Sequence, residues 1–139
     1  MKVEIDAAQE LTVVRGRRRT DFLCRQPTID LTIDARVEGD WDVVVVRGEV
    51  DLYTSPTLRA AIERSLDRGA RRVLVDLRDV GFMDSSGLGV LVGGLRRSRE
   101  RGGELALVCG EGSVMRVLSM TGLDRVFPIH GSLGDVLDD

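Results

Sequence analysis

The sequence is poor in long apolar runs, in cysteine and in histidine, and each shortage excludes a class of function. Its 139 residues contain no apolar run as long as a membrane span, and the N-terminus lacks the apolar core of a signal peptide. Two cysteines and one histidine are too few for a disulfide framework and show no metal-ligand spacing. We therefore expect one cytoplasmic domain with no membrane contact, no metal site and no cofactor.

The charge of the chain gives no reason to expect a nucleic acid as a partner. Twenty basic residues are outnumbered by 23 acidic ones, and the net charge is −3. A basic cluster at residues 15–19 (RGRRR) could contact phosphate or an acidic protein, but we favour a solvated arm. Residues 1–28 are thus predicted to form a partly disordered N-terminal arm, and residues 29–139 a folded domain.

Apolar periodicity predicts an α/β fold for this domain. Residues 29–33 alternate between apolar and polar, and residues 43–46 (VVVV) are typical of a strand buried on both faces. Further strands are predicted at residues 71–77, 104–109 and 126–129, and helices at residues 55–69, 86–101, 113–122 and 132–137. Ser55 and Ser113 are predicted to cap two of these helices. The order β-β-α-β-α-β-α-β-α predicts a mixed, mostly parallel sheet of about five strands with four helices.

A serine pair, Ser85 and Ser86, lies where a predicted strand gives way to the second predicted helix. Backbone N–H groups at a helix start lack intrahelical partners, and the helix dipole is positive there. Such a place can accept a bound anion or a covalent phosphate. The structural alternative is that Asp84 or Ser85 caps the helix, and a cap can also be a phosphorylation site.

Catalytic interpretations of this turn are weaker. The Gly-x-Ser-x-Gly spacing of a nucleophile elbow is absent, and the single histidine, His130, is distant in the sequence. Asp76, Asp79 and Asp84 could bind a metal, but no matching ligand cluster supports it. A Walker loop is excluded because no Gly-Lys-Ser/Thr occurs. A serine hydrolase built on Ser85 would turn over a simple ester, which we do not expect.

The second predicted helix contains glycines at positions 87, 89, 93 and 94. Each costs about 1 kcal/mol relative to alanine in a helix interior. Close packing on the sheet, or close approach by the backbone of a partner, would justify that cost.

Four motifs in register resemble those of the anti-sigma factor antagonists, bacterial proteins of the STAS domain group. The most specific is residues 82–90 (FMDSSGLGV), which resembles the family signature. The others are residues 47–56 (RGEVDLYTSP) before the first helix, the Gly102-Gly103 turn, and residues 119–123 (SMTGL) at the end of the third helix. The resemblance extends from about Ile29 to the C-terminus.

The resemblance implies a regulator and not an enzyme. Such proteins bind an anti-sigma factor that is itself a serine protein kinase, and binding releases the sigma factor, which is a partner only indirectly. The kinase phosphorylates the first hydroxyl of the Asp-Ser-Ser/Thr-Gly motif, which corresponds to Ser85, and a protein serine phosphatase reverses this. The resemblance further implies a monomer or weak dimer, while a STAS scaffold subunit of a larger signalling complex is the alternative function.

The predicted partner-binding residues surround this motif: Asp51, Tyr53, Asp84, Ser85, Ser86, Gly87 and Gly89. Several have a structural alternative. Asp51 and Glu49 could satisfy the backbone of their turn, Tyr53 could pack partly into the core, and Ser86 could cap the helix. A redox switch between Cys24 and Cys109 is a further possibility, although Cys109 is predicted to be buried and inert.

Overall fold

The computed structural model describes residues 12–16 and 31–137. Most of the predicted arm, including Cys24, lies outside the described residues. The strands are β1 (Thr12–Gly16), β2 (Leu31–Glu38), β3 (Trp41–Val50), β4 (Arg72–Met83), β5 (Glu104–Val108) and β6 (Ile129–His130). The helices are α1 (Ser55–Asp67), α2 (Ser85–Glu100), α3 (Ser113–Met120) and α4 (Leu133–Leu137), with a 3-10 turn at Leu123–Arg125.

The strands form one mixed sheet in the order β1-β2-β3-β4-β5-β6. The pairs β1/β2 and β2/β3 are antiparallel, and the three later pairs are parallel. Because a helix separates each of the later strands from the next, their parallel pairing follows from short crossover connections. The predicted α/β class, with a mostly parallel mixed sheet and four helices, is confirmed. The sixth strand, β1, lies in the segment predicted as an arm.

The sheet separates two apolar clusters of unequal size. The larger lies on the face covered by α1, α2 and α3 and includes Leu58, Leu91, Leu107 and Leu118. The smaller lies on the opposite face, where Trp41 and Leu74 pack with Val136 of α4. Residues 43–46 contribute to both clusters and are all buried, which confirms a strand buried on both faces.

Two predicted helix caps are wrong, because each helix begins one residue earlier than the predicted cap allows. Thr54 is the N-cap residue of α1, and Ser55 is the first residue of the helix and is buried. Gly112 is the N-cap residue of α3. The hydroxyl of Ser113 instead donates to the carbonyl oxygen of Gly81 in β4, at 2.8 Å. Ser113 thus links α3 to the strand that leads into the serine turn.

Two strands also differ from their predicted bounds. The strand predicted at residues 126–129 begins only at Ile129, since the chain first makes the 3-10 turn. β4 continues past the predicted end at residue 77 and reaches Met83. Its register with β3 shifts twice along the way, so this extension is irregular and the alternating pattern that predicts strands is lost. The extension carries the chain directly to Asp84.

None of the helices among residues 31–137 is both long enough and apolar enough to span a membrane.

Candidate functional site

Two strand-to-helix turns lie side by side where β3 and β4 end. Glu49 is paired with Phe82 and Val50 with Met83, and the N–H of Asp84 donates to the carbonyl oxygen of Val50 at 3.1 Å. Parallel strands end at the same edge of a sheet, and neighbouring strands are about 4.8 Å apart. We call residues 49–54 the first turn, residues 82–86 the second turn, and the two together the carboxyl edge.

The first turn is closed by hydrogen bonds from Asp51 and Thr54. One carboxylate oxygen of Asp51 accepts the backbone N–H groups of Tyr53, at 2.9 Å, and of Thr54, at 3.0 Å. The hydroxyl of Thr54 donates to the carbonyl oxygen of Glu49 and accepts the N–H of Asp51, both at 2.9 Å. Asp51 therefore satisfies backbone groups of its turn, which is the structural role considered for it. Its contact with a partner remains a prediction.

Three large apolar side chains project from the carboxyl edge into solvent. Leu52 is 68% exposed, Tyr53 63% and Phe82 46%. Tyr53 is mostly exposed, which favours the predicted exposed position over partial packing into the core. Tyr53 is one of the predicted partner-binding residues, whereas Leu52 and Phe82 are not. The position of Leu52 between the turn-forming residues Asp51 and Thr54 is the sequence signal that could have indicated its exposure.

The second turn begins with a helix cap. Asp84 is the N-cap residue of α2, and one of its carboxylate oxygens accepts the N–H groups of Ser86, at 2.9 Å, and of Gly87, at 3.4 Å. The hydroxyl of Ser86 donates to the same oxygen. Asp84 is thus the residue that caps the helix, and Ser86 supports that cap without capping the backbone itself.

Ser85 is the first residue of α2 and is exposed, whereas Ser86 is half-buried. The hydroxyl of Ser85 lies outside the hydrogen-bond network of Asp84 and Ser86. Of the two serines, Ser85 is therefore the one whose hydroxyl can react without breaking the cap.

The glycines of α2 fall into two groups. A Cβ on Gly87 would lie 2.6 Å from Cγ1 of Val50 and 2.7 Å from Cγ of Met83, so only glycine lets α2 start this close to the sheet. A Cβ on Gly94 would be less tightly placed, at 3.0 Å from Leu105 and 3.1 Å from Ile62. Around Gly89 and Gly93, no heavy atom of the described chain outside the neighbouring backbone of α2 lies within 4 Å of such a Cβ. Packing thus explains Gly87 and Gly94, and leaves the other two open to a partner.

The remaining aspartates of β4 do not join the serine turn. Asp76 is buried and forms two hydrogen bonds with the guanidinium of Arg78, at 2.9 and 2.8 Å. These hydrogen bonds raise the pKa of Arg78. Asp79 lies 3.4 Å from Arg47, which also contacts Asp34 at 2.9 Å. Residues 31–137 contain no cluster of three potential metal ligands from His, Cys, Asp and Glu.

His130 lies on β6, and Cys109 directly follows the end of β5. His130 is on β6, which is separated from β4 by β5, so the topology gives a triad with Ser85 no support. Cys109 is a buried free thiol. Its burial and, to a lesser degree, the charge of Asp76 raise its pKa. The inert thiol expected at Cys109 agrees with this environment.

The fold and the carboxyl edge together define a small α/β regulatory domain that presents a serine at the start of a helix. Residues 32–136 match the model of the STAS domain family, and the chain belongs to that family. Its relatives are regulatory binding proteins and not enzymes.

Known relatives cover most of the chain. The chain is 33% identical to the anti-sigma F factor antagonist of Paenibacillus polymyxa over 103 residues, which are 72% of this chain and 88% of the relative. It is 32% identical to the anti-sigma-B factor antagonist of Bacillus subtilis over 101 residues, which are 73% of this chain and 92% of the relative. The crystal structure of an anti-sigma factor antagonist from Mycobacterium paratuberculosis superposes with a TM-score of 0.72 at 28% identity, covering 78% of this chain and 95% of the other.

Proposed function

We propose that this chain is an anti-sigma factor antagonist, which binds an anti-sigma factor through the carboxyl edge and is released when Ser85 is phosphorylated. The anti-sigma factor would be a serine protein kinase, and a protein serine phosphatase would restore the active form. The sigma factor is affected only indirectly, through release from the anti-sigma factor. The names of the relatives support the antagonist role.

The observation that carries the proposed switch is the difference between the two serines. The hydroxyl of Ser86 is bound to the cap carboxylate of Asp84, and that of Ser85 is exposed at the same helix start. A kinase could therefore modify Ser85 while the start of α2 stays capped.

Phosphorylation would change the charge of the surface far more than the stability of the fold. A phosphate adds about −1.5 to −2 charges at neutral pH. The dipole of α2 favours a negative group there by about 0.3–1 kcal/mol. The N–H groups of Ser86 and Gly87 are already bound by Asp84, so the phosphate stays on the surface beside another anion. A partner that fits a neutral hydroxyl would meet repulsion and a large desolvation penalty.

The test is the mass of the intact protein after incubation with ATP and each purified anti-sigma factor kinase of the same genome. We expect one phosphate on the native chain and on Ser86→Ala, and none on Ser85→Ala. Binding of that kinase to the native chain should weaken more than a hundredfold on phosphorylation, which corresponds to about 3 kcal/mol.

Two results would contradict the proposal in different ways. Stable binding with no phosphate on Ser85 would keep the antagonist role and remove the switch. Neither binding nor phosphate with any of the kinases would remove both, and assembly into a large complex on size-exclusion chromatography would then support the scaffold alternative. An antagonist should elute as a monomer or weak dimer at neutral pH and physiological ionic strength.

A further inference from the structure

The carboxyl edge combines the exposed apolar side chains of Leu52, Tyr53 and Phe82, and we call these three residues the apolar patch. Six large hydrophobic residues among the described ones are exposed, and these three lie on two adjacent turns. Isolated exposed hydrophobic residues are ordinary on protein surfaces, but several on adjoining turns are a sign of an interaction surface. We propose that the apolar patch anchors the anti-sigma factor, an inference that rests on the proposed function.

The fold leaves the side chains of Leu52 and Phe82 outside its core. The first turn is held by the carboxylate of Asp51 and the hydroxyl of Thr54, and the side chain of Leu52 projects away from the core. Phe82 belongs to the irregular end of β4, where its neighbour Met83 points into the larger apolar cluster. The hydrogen bonds of the turn thus order the backbone at Leu52 and Tyr53 without burying their side chains, so a partner that binds them loses little backbone entropy.

The charges around the apolar patch favour a different protein over a second copy of this chain. Glu49, Asp51 and Asp84 are half-buried carboxylates on the same edge. A two-fold symmetric dimer built on this edge would bring the two acidic edges together, so that like charges oppose the association. A partner with an apolar socket bordered by lysine or arginine side chains satisfies both the patch and its acidic surroundings. The apolar patch therefore fits an apolar surface of the anti-sigma factor that is bordered by basic side chains.

The patch also explains why a single phosphate could act as a switch. Ser85 follows Phe82 by three residues and lies on the same edge as Leu52 and Tyr53. When a partner covers these apolar side chains, it excludes water from the neighbouring serine. A dianion in such a place loses its hydration, and this loss adds to the repulsion from Asp84.

The experiment compares the variants Leu52→Gln and Phe82→Thr with the control Val37→Thr. Val37 is a 49% exposed apolar residue near the β2–β3 hairpin. Its partner in the register is Asp42, eight residues before Val50, so it lies about 26 Å from the carboxyl edge. The measurement is calorimetric affinity of each unphosphorylated variant for the purified anti-sigma factor kinase that phosphorylates Ser85. Thermal unfolding of each variant confirms that it folds.

We expect Leu52→Gln and Phe82→Thr each to weaken binding by more than about tenfold, and Val37→Thr to change it less than twofold. The two variants lie on separate segments, so a folding defect in one leaves the other informative. If the native chain binds and both variants bind equally well, the apolar patch is not an anchor, although the proposed function stands. If the native chain binds no anti-sigma factor, the proposed function fails and this inference fails with it. If the variants instead abolish a dimer of the native chain, the patch serves a second copy and the inference is wrong.

Discussion

In both turns of the carboxyl edge an aspartate accepts backbone N–H groups that precede a helix or begin it, but the side chains exposed to solvent differ between the two turns. In the first turn, Asp51 accepts N–H groups from Tyr53 and Thr54 before α1 begins. In the second turn, Asp84 accepts N–H groups from Ser86 and Gly87 as the cap of α2. The first leaves two apolar side chains in solvent, and the second leaves the hydroxyl of Ser85.

The comparison separates residues that build the edge from residues that are left over for a partner. Asp51, Thr54, Asp84 and Ser86 form hydrogen bonds within their own turns. The exposed residues of the edge lie between them. Variants of the first group should therefore change stability, and variants of Leu52 and Phe82 should change binding more than stability.

The largest expected effect on stability comes from the glycines that follow the second turn. Gly87→Ala should lower the free energy of unfolding by about 2 kcal/mol, because its Cβ would overlap the stiff side chain of Val50. The matched control is Gly89→Ala, which meets no neighbour within the described chain and should stabilise α2 by about 0.5–1 kcal/mol. Urea denaturation measures both. Equal effects at the two positions would show that packing does not distinguish them.

A smaller effect is expected when either aspartate is removed. Asp51→Ala should cost about 1–2 kcal/mol, since it leaves two N–H groups of a half-buried turn without their acceptor. Asp84→Ala should cost about 1 kcal/mol, as is usual for the loss of a helix cap. Asp84→Asn, which keeps a good capping side chain, should recover most of that stability. Denaturation midpoints that are unchanged in both alanine variants would contradict the roles assigned to the two residues.

The smallest effect on stability is expected for Cys109, which takes no part in the hydrogen bonds that organise either turn. Its pKa is raised in the folded protein, so the folded state keeps the proton that the unfolded chain releases near pH 8.5. Stability should therefore fall slightly as the pH rises above that value. In a Cys24→Ala background, labelling of Cys109 by a thiol reagent at pH 7.5 should be about tenfold or more slower than in the unfolded chain. Rapid labelling of the native protein would show that the thiol is accessible.

The helices and buried strands could be predicted because their signals are local. The face of α1 that carries Leu58, Ile62 and Leu66 is buried as its spacing predicts. Val43 and Val44 are buried on opposite faces of the sheet, as expected of a β-branched run between two layers. The caps were harder to predict, since Ser55 and Ser113 have the right residue type but sit one position inside their helices.

The exposed part of the site depends on contacts that are distant in the sequence. Phe82 and Leu52 are separated by 30 positions and reach the same sheet edge because β3 and β4 pair in parallel with a shifted register. Apolar residues at such positions are ordinarily predicted to be in the core, and only their placement at a sheet edge shows that they face solvent. For the same reason, sequence analysis could not distinguish Gly87, which is held against Val50, from Gly89, which is open.

The sequence by itself determined the α/β order of elements, the family and the serine turn, because periodicity, turn residues and short motifs act over a few positions of the chain. The tertiary structure alone decided which aspartate organises which turn, which serine is exposed and which apolar residues reach solvent. Those properties depend on how two strand ends pack beside each other, and that packing is set by the whole sheet.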